Sequence, residues 1–328
     1  MHVRIADEYL TGEDLFLEGA SGVTSNTKDM ITLYSAYLEA FNDQTATGSD
    51  VTPDNPFVHC QTIFKGHTFM SQDTSYACGW VRTRLPAPLG AIGINATQTT
   101  MPRVHHTGPS RLCFYNQGMM PGAVSNVTLL PETDTVIAIV ANASHAGDVA
   151  DWASQMIIEE LLEAPIRHDW ERKANGVLSK ITNHLPTVKR ELDENQRRGT
   201  RPPYPLPRYK GSYWNDTFNL KIDINVQGDH LLMSFNGVTI PSAEKDKSMC
   251  DVAKKITYSL RHYEDNTFEW FLPHNKSVSK GRFVHLGTTE SFLIRFKGTN
   301  RLLWQTGDFG SQPSVFIKKR RRTLALAP

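Results

Sequence analysis

The stretch Arg111–Ala141, RLCFYNQGMMPGAVSNVTLLPETDTVIAIVA, decides the fold. Its apolar and β-branched residues gather into strand-length runs separated by turn formers. Arg111–Asn116 reads as a strand, as do Val124–Leu130 and Val136–Ala141. Pro131-Glu132-Thr133-Asp134 turns the chain between the last two. Val136–Ala141 is the longest apolar run in the chain. It suits a strand and falls far short of the roughly 18 residues a membrane helix needs.

Working outward, DVADWASQMIIEELLEA (148–164) repeats its apolar residues at helical spacing and is stopped by Pro165. On the other side, YACGWVRTR (76–84) reads as one strand and residues 42–56 as a polar loop. SGVTSNTKDMITLYSAYLEAF (21–41) reads as a helix. Ser25 is its expected N-cap, Asp29 sits in the first turn, and Met30, Leu33, Tyr34, Tyr37, Leu38 and Phe41 form its apolar face. Residues 166–200 are charged and helix-prone. They end at GTRPPYPLPR (199–208), where Pro202, Pro203, Pro205 and Pro207 predict a stiff, extended linker. Beyond it come short alternating runs: NLKIDINV, HLLMSFNG, ITYSLRHY, TFEWFLP, GRFVHL, SFLIRF, RLLWQ and SVFIKK. That spacing predicts an antiparallel barrel or sandwich.

With 328 residues, 39% hydrophobic and 21% charged, the composition is that of a folded chain and excludes disorder and collagen. The net charge of +1 conceals a split. Residues 1–165 hold 7 Lys+Arg and 18 Asp+Glu, whereas residues 166–328 hold 28 and 16. Two mutually attracting halves are the expected reading. Nucleic acid is not an expected partner, because the basic residues are dispersed without stacking aromatics. The terminal run Lys318–Arg322 reads as a solvated tail.

Cys60, Cys78, Cys113 and Cys250 show no zinc or disulfide spacing, so reduced thiols and a cytoplasmic setting are expected, with no metal and no cofactor. His59, Cys60, His67 and Cys78 match no ligand pattern, and His105-His106 reads as loop. The first 20 residues carry five acids and no apolar core segment, so no secretory leader is expected and the five glycosylation sequons carry little weight.

Several blocks, in order, resemble a fungal branch of the serine β-lactamase-like family, related to class C β-lactamases and penicillin-binding proteins. They are GASGVTSNTKDMITLYSAYLEAF, YACGWVRTRLPAPLGAIGIN, PSRLCFYNQGMMPGAVSNVTLLPETDTVIAIVANA and RYKGSYWNDTFNLKI. The resemblance implies an α+β fold: a partial β-lactamase-like α/β region over 1–165, a helical segment and Pro-rich linker over 166–208, and a C-terminal antiparallel β-domain over 209–328. It corresponds to the later part of the family, so the nucleophilic Ser-x-x-Lys and the Tyr-x-Asn motifs are expected upstream. The literal matches here do not replace them. Ser25-Asn26-Thr27-Lys28 reads as a helix cap, Ser242–Lys245 and Ser277–Lys280 are chance-level, and Tyr213-Trp214-Asn215 opens the β-domain.

The family's third motif, a cation-x-Gly triad on the sheet edge, falls on Asn116-Gln117-Gly118. The resemblance implies that Gly118 permits close backbone approach and that the Met119 amide donates to an oxyanion, with Tyr115, Asn116, Gln117 and Met120 lining the substrate. Asn116 stands where the family carries a positive charge. The implied function is action on a small carbonyl-containing metabolite: ester, lactone or amide hydrolysis, acyl transfer, or a non-hydrolytic cyclisation or isomerisation, in fungal secondary metabolism. The alternative is a non-catalytic binding or accessory protein of the same family. The implied partners are the small-molecule substrate and a second copy or partner chain that completes the sheet. No membrane is expected.

Overall fold

The computed structural model describes residues 25–106, 108–120, 123–142, 147–216, 220–237, 257–279, 287–305 and 312–319. The chain divides into two compact units, whose described parts lie in Thr24–Asn183 and His184–Pro328. No described helix is long and apolar enough to cross a membrane.

The first unit is built on a six-stranded antiparallel sheet. Helix α1 (Thr27–Thr47) starts one residue later than the sequence suggests, because the Asn26 side chain, not Ser25, accepts the Asp29 N–H. It also continues through residues expected to be loop. Buried Gln44 explains the extension: its Oε1 accepts the Cys60 N–H at 2.8 Å and its Nε2 donates to Phe57 O at 2.8 Å. Gly48, at φ 71°, then ends the helix. The one-turn helix α2 (Cys60–Ile63) leads into β1 (Thr68–Ser71) and β2 (Thr74–Tyr76).

The expected strand 76–84 is two strands. β2 ends at Tyr76, the chain reverses through Cys78-Gly79, and β3 (Val81–Leu85) returns beside it, with Ala77 N–H donating to Trp80 O at 2.7 Å. After β4 (Ala87–Pro88), helix α3 (Ile94–Gln98) and β5 (Arg103–Val104) come the long strands β6 (Arg111–Met120), β7 (Ala123–Leu130) and β8 (Thr135–Ala141). The sheet order is β1-β2-β3-β6-β7-β8, and β4 pairs only with β5. β6 exceeds its expected length by four residues, because β7 pairs with it from Phe114 to Met120.

α1 lies against one face of this sheet. Phe41 meets Phe114 at 5.0 Å between ring centroids, and Phe64 meets Phe114 at 4.5 Å. Helix α4 (Val149–Leu161) packs on the other face through β7 and β8, where Thr128 and Ser154 hydroxyls meet at 3.0 Å. Helix α5 (Trp170–Asn195) begins in the first unit and ends in the second.

The second unit is a closed antiparallel barrel rather than a sandwich. Its strands are β9 (Gly211–Trp214), β10 (Leu220–Gln227), β11 (His230–Gly237), β12 (Thr257–Glu264), β13 (Thr267–Glu269), β14 (Leu293–Lys297), β15 (Arg301–Trp304) and β16 (Ser314–Lys319). Seven of the expected runs contribute strands, while GRFVHL lies outside the described residues. The eighth strand is β9, which the sequence reading did not count. It pairs with β10 on one side and β16 on the other, removing both edges. Alternate residues point inward: Ile222 and Ile224 on β10, Leu231 and Met233 on β11, Ile294 and Phe296 on β14. Leu185, Val188 and Leu192, from the end of α5, join this core. Tyr204 and Leu206 pack against it too, so the proline segment lies on the barrel instead of running free as a linker.

Candidate site at the strand β6 edge

β3 accompanies β6 only from Arg111 to Tyr115, whereas β7 continues to Met120. Among the described residues, 116–120 therefore have a strand partner on one side alone. Gly118 stands opposite Ser125, Met119 opposite Val124, and Met120 opposite Ala123. Met119 is 45% exposed.

Strand alternation separates the expected site residues. Tyr115 and Gln117 face the α4 side. The Tyr115 hydroxyl accepts the Ala91 N–H at 3.1 Å, and Gln117 Nε2 donates to Asp148 Oδ2 at 3.4 Å. Asn116 is on the opposite face with Gly118, and its Nδ2 donates to Gly79 O. Backbone at the open edge is thus brought together, whereas the side chains at 116 and 117 are not.

Beneath Gln117 lies a buried polar cluster that the sequence reading missed. Asp148 caps α4 by accepting the Asp151 N–H at 3.0 Å. Asn95 binds Asp148 with both ends of its amide: Oδ1 accepts Asp148 N–H and Nδ2 donates to Asp148 O, each at 2.9 Å. Nδ2 also donates to Asp151 Oδ2 at 2.8 Å, and Gln155 Nε2 donates to Asp151 Oδ1 at 2.8 Å. Gly90, at φ +81°, closes the lid, since a Cβ there would stand 2.7 Å from Asp151 Oδ2.

Burial dominates the electrostatics. It pushes the Asp151 carboxyl up to about 6 despite the amide bonds from Asn95 and Gln155. It raises the Asp148 carboxyl against its own hydrogen bonds, and it raises the Tyr115 hydroxyl. Asp148 and Asp151 are 2% and 0% exposed, so they position α4 and Gln117 rather than meet a ligand. The DVAD pattern could have signalled the cap, but no local pattern signals that Asp151 is sealed.

Among the described residues of the first unit, no serine or cysteine shares a hydrogen bond with a lysine, histidine or tyrosine. Ser25 is exposed and, among the described residues, bonds Asn26 O at 3.4 Å. Ser242–Lys245 lies outside the described residues, as does Lys280. The Tyr213 hydroxyl is spent in the barrel wall on Tyr209 O at 2.7 Å and Thr299 O at 3.0 Å. No group of three His, Cys, Asp or Glu among the described residues is placed to hold a metal ion. His67 Nε2 meets Thr62 O at 2.9 Å, and His59 stands 3.4 Å from Asp50.

No protein-family model matches the chain, and no curated protein does. Among solved structures, it aligns with the octameric penicillin-binding protein homologue from Pyrococcus abyssi at 12% identity and a TM-score of 0.29. That alignment covers 90% of this chain and 48% of the other, so the chain spans about half the length of that protein. A likeness at this score carries no argument about fold or function.

Proposed function

We propose that the chain is a β-lactamase-like protein that receives a small carbonyl-containing metabolite along the open edge of β6. The observation that carries this reading is the register: β3 stops opposite Tyr115 and, among the described residues, no strand continues beside Asn116–Met120 on that side. An unpaired strand edge offers backbone N–H and C=O groups to an extended substrate or a carbonyl oxygen. Met119 N–H is the proposed oxyanion donor, with Gly118 allowing close approach. Gln117 on one face and Asn116 on the other flank this edge, with Tyr115 preceding them on the strand and Met120 following. The reaction class follows from the ordered sequence blocks: hydrolysis or acyl transfer on an ester, lactone or amide, or a cyclisation or isomerisation that needs no acyl-enzyme. A second copy of the chain, or a partner chain, is the proposed source of further strands.

A second reading, a non-catalytic binding protein, has its own support. The Asn116 and Gln117 amides are already engaged by Gly79 O and Asp148, and Asn116 supplies no positive charge. A fluorophosphonate or penicillin-type acylating probe separates the two. Covalent labelling of the native protein supports serine acyl-transfer chemistry. Saturable, non-covalent binding that perturbs Met119, without labelling, supports the binding reading. Neither labelling nor binding at β6 overturns both.

A further inference from the structure

A groove in the first unit runs along the opening turns of α5, bounded by the segment before that helix and by Thr99 at the end of α3. Its volume is about 460 Å³, a size common among small-molecule sites. Five of its nine lining residues are basic: Arg167, His168, Arg172, Lys173 and Lys180. The lining holds one acid, Asp169, whose Oδ1 accepts the Arg172 N–H at 2.9 Å. Arg167 pairs with Glu160 on α4, both of them exposed to solvent, which screens the pair. Among the described residues, the side chains of Arg172 and Lys173 have neither a hydrogen-bond nor an ion-pair partner. Lys173 is nonetheless partly buried.

Two of the cations are held in place. Lys180 Nζ donates to Gln98 O at 2.7 Å, which anchors it to the end of α3 and leaves its other N–H bonds uncommitted. His168 Nδ1 meets Glu159 Oε1 at 2.5 Å, and its ring centroid lies 5.1 Å from that of Trp170. Side chains fixed in advance lose less freedom when a ligand arrives.

Gly176 supplies the space. It lies inside α5, where glycine is the poorest helix former after proline. No left-handed backbone calls for it, and nothing stands within 4 Å of a Cβ built there. Internal packing therefore does not account for the residue. Lys173, Gly176 and Lys180 share one helix face, so the missing side chain leaves the groove open between the two lysines. Seven residues of helix set those lysines about 10 Å apart along the axis. One phosphate group cannot reach both, whereas a chain of phosphates can.

We propose that this groove binds a small molecule carrying two or more linked phosphate groups. Arg172 and Lys173 hold one end and Lys180 the other, with the phosphates lying over Gly176. Arginine serves through paired N–H donors and lysine as a point charge. The proposal is independent of the β6 reading.

The test is calorimetric titration of the full chain with inorganic tripolyphosphate, ATP and orthophosphate, at about 0.15 M salt so that loose surface attraction is screened. The expected result is saturable binding of tripolyphosphate or ATP, one per chain, with orthophosphate at least tenfold weaker. Tighter binding of ATP identifies a nucleotide as the source of the phosphates, and tighter binding of tripolyphosphate a free polyphosphate. Arg172→Gln combined with Lys173→Gln is expected to weaken binding about tenfold or more. Gly176→Leu is expected to keep or raise the thermal midpoint, because it improves the helix, and yet to weaken binding similarly by filling the groove. The proposal is overturned if neither polyphosphate saturates the native chain, or if orthophosphate binds as tightly. It is equally overturned if either variant, shown to be folded by circular dichroism, binds as the native chain does. Native binding by Gly176→Leu alone would reduce the groove to a charged surface.

Discussion

The Asn95 amide donates to the Asp151 carboxylate at 2.8 Å, across 56 positions of sequence. The same side chain clasps Asp148 through its N–H and its carbonyl. One asparagine therefore ties the short helix α3 to the start of α4, directly beneath the strand that carries the proposed site. Asn95→Ala leaves one oxygen of the buried Asp151 carboxylate and the Asp148 N–H without their partner. The expected loss is about 3 kcal/mol, read from urea unfolding midpoints.

Asp151 makes stability depend on pH. Its folded-state pKa of about 6 lies above its ordinary value of 3.8. An acid shifted this way contributes stability that is fully present below the unfolded value and is lost as pH rises through the folded value. Asp151→Asn removes that dependence, and its new N–H can be met by Gln155 Oε1, which is unpartnered in the native fold, if the Gln155 amide turns over. Relative to the native chain, the variant is expected to gain about 1.4 kcal/mol between pH 5 and pH 7.5, the last half of the roughly 3 kcal/mol that the whole shift is worth. Unfolding curves for both proteins at the two pH values check this. Equal differences at both would refute it.

Glu159 is 1% exposed and accepts three bonds from the segment that opens α5: His168 N–H at 3.0 Å, His168 Nδ1 at 2.5 Å and Trp170 Nε1 at 2.9 Å. Glu159→Ala removes the acceptor and leaves the His168 N–H and the buried Trp170 Nε1–H without their partner. A destabilisation of about 2 kcal/mol is expected, with a shifted Trp170 emission in the folded state.

In the barrel, Tyr213 bonds Tyr209 O and Thr299 O from the strand that closes the ring. Tyr213→Phe keeps the packing and leaves those carbonyls without their donor. It should cost about 1 to 2 kcal/mol in thermal unfolding and leave the far-ultraviolet spectrum unchanged.

At the proposed site, Met119→Ala removes an exposed side chain but keeps the backbone amide. If the amide is what the carbonyl meets, Met119→Ala retains binding or turnover within about threefold. Placing proline there deletes the N–H and abolishes it. Equal loss in both variants would assign the effect to the side chain instead.

Secondary structure was largely legible because its signals are local. Val149–Leu161 and the strands of Arg111–Ala141 announced themselves by helical and alternating periods. The misreadings arose where distant residues intervened. α1 continues to Thr47 because Gln44 is held by Cys60 and Phe57. The Tyr76–Arg84 run breaks at Gly79 so that β3 can fold back between β2 and β6. At the candidate site, the run Tyr115–Met120 was legible as a strand, but where β3 stops beside it was not.

By itself, then, the sequence determined an antiparallel mixed fold: helices flanking a meander, and a train of short alternating strands after the prolines. The periods of 3.6 and 2 that specify those elements are written in neighbouring residues. Only the tertiary structure decided that the strands close into a barrel through Gly211–Trp214, and that Asn116 and Gln117 part to opposite faces. It alone decided that Asp151 is sealed under Gly90 and that the His105 ring is buried against Gly108. Closure, burial and electrostatic shift depend on residues far apart in the chain, and their free energies exist only once those residues have met.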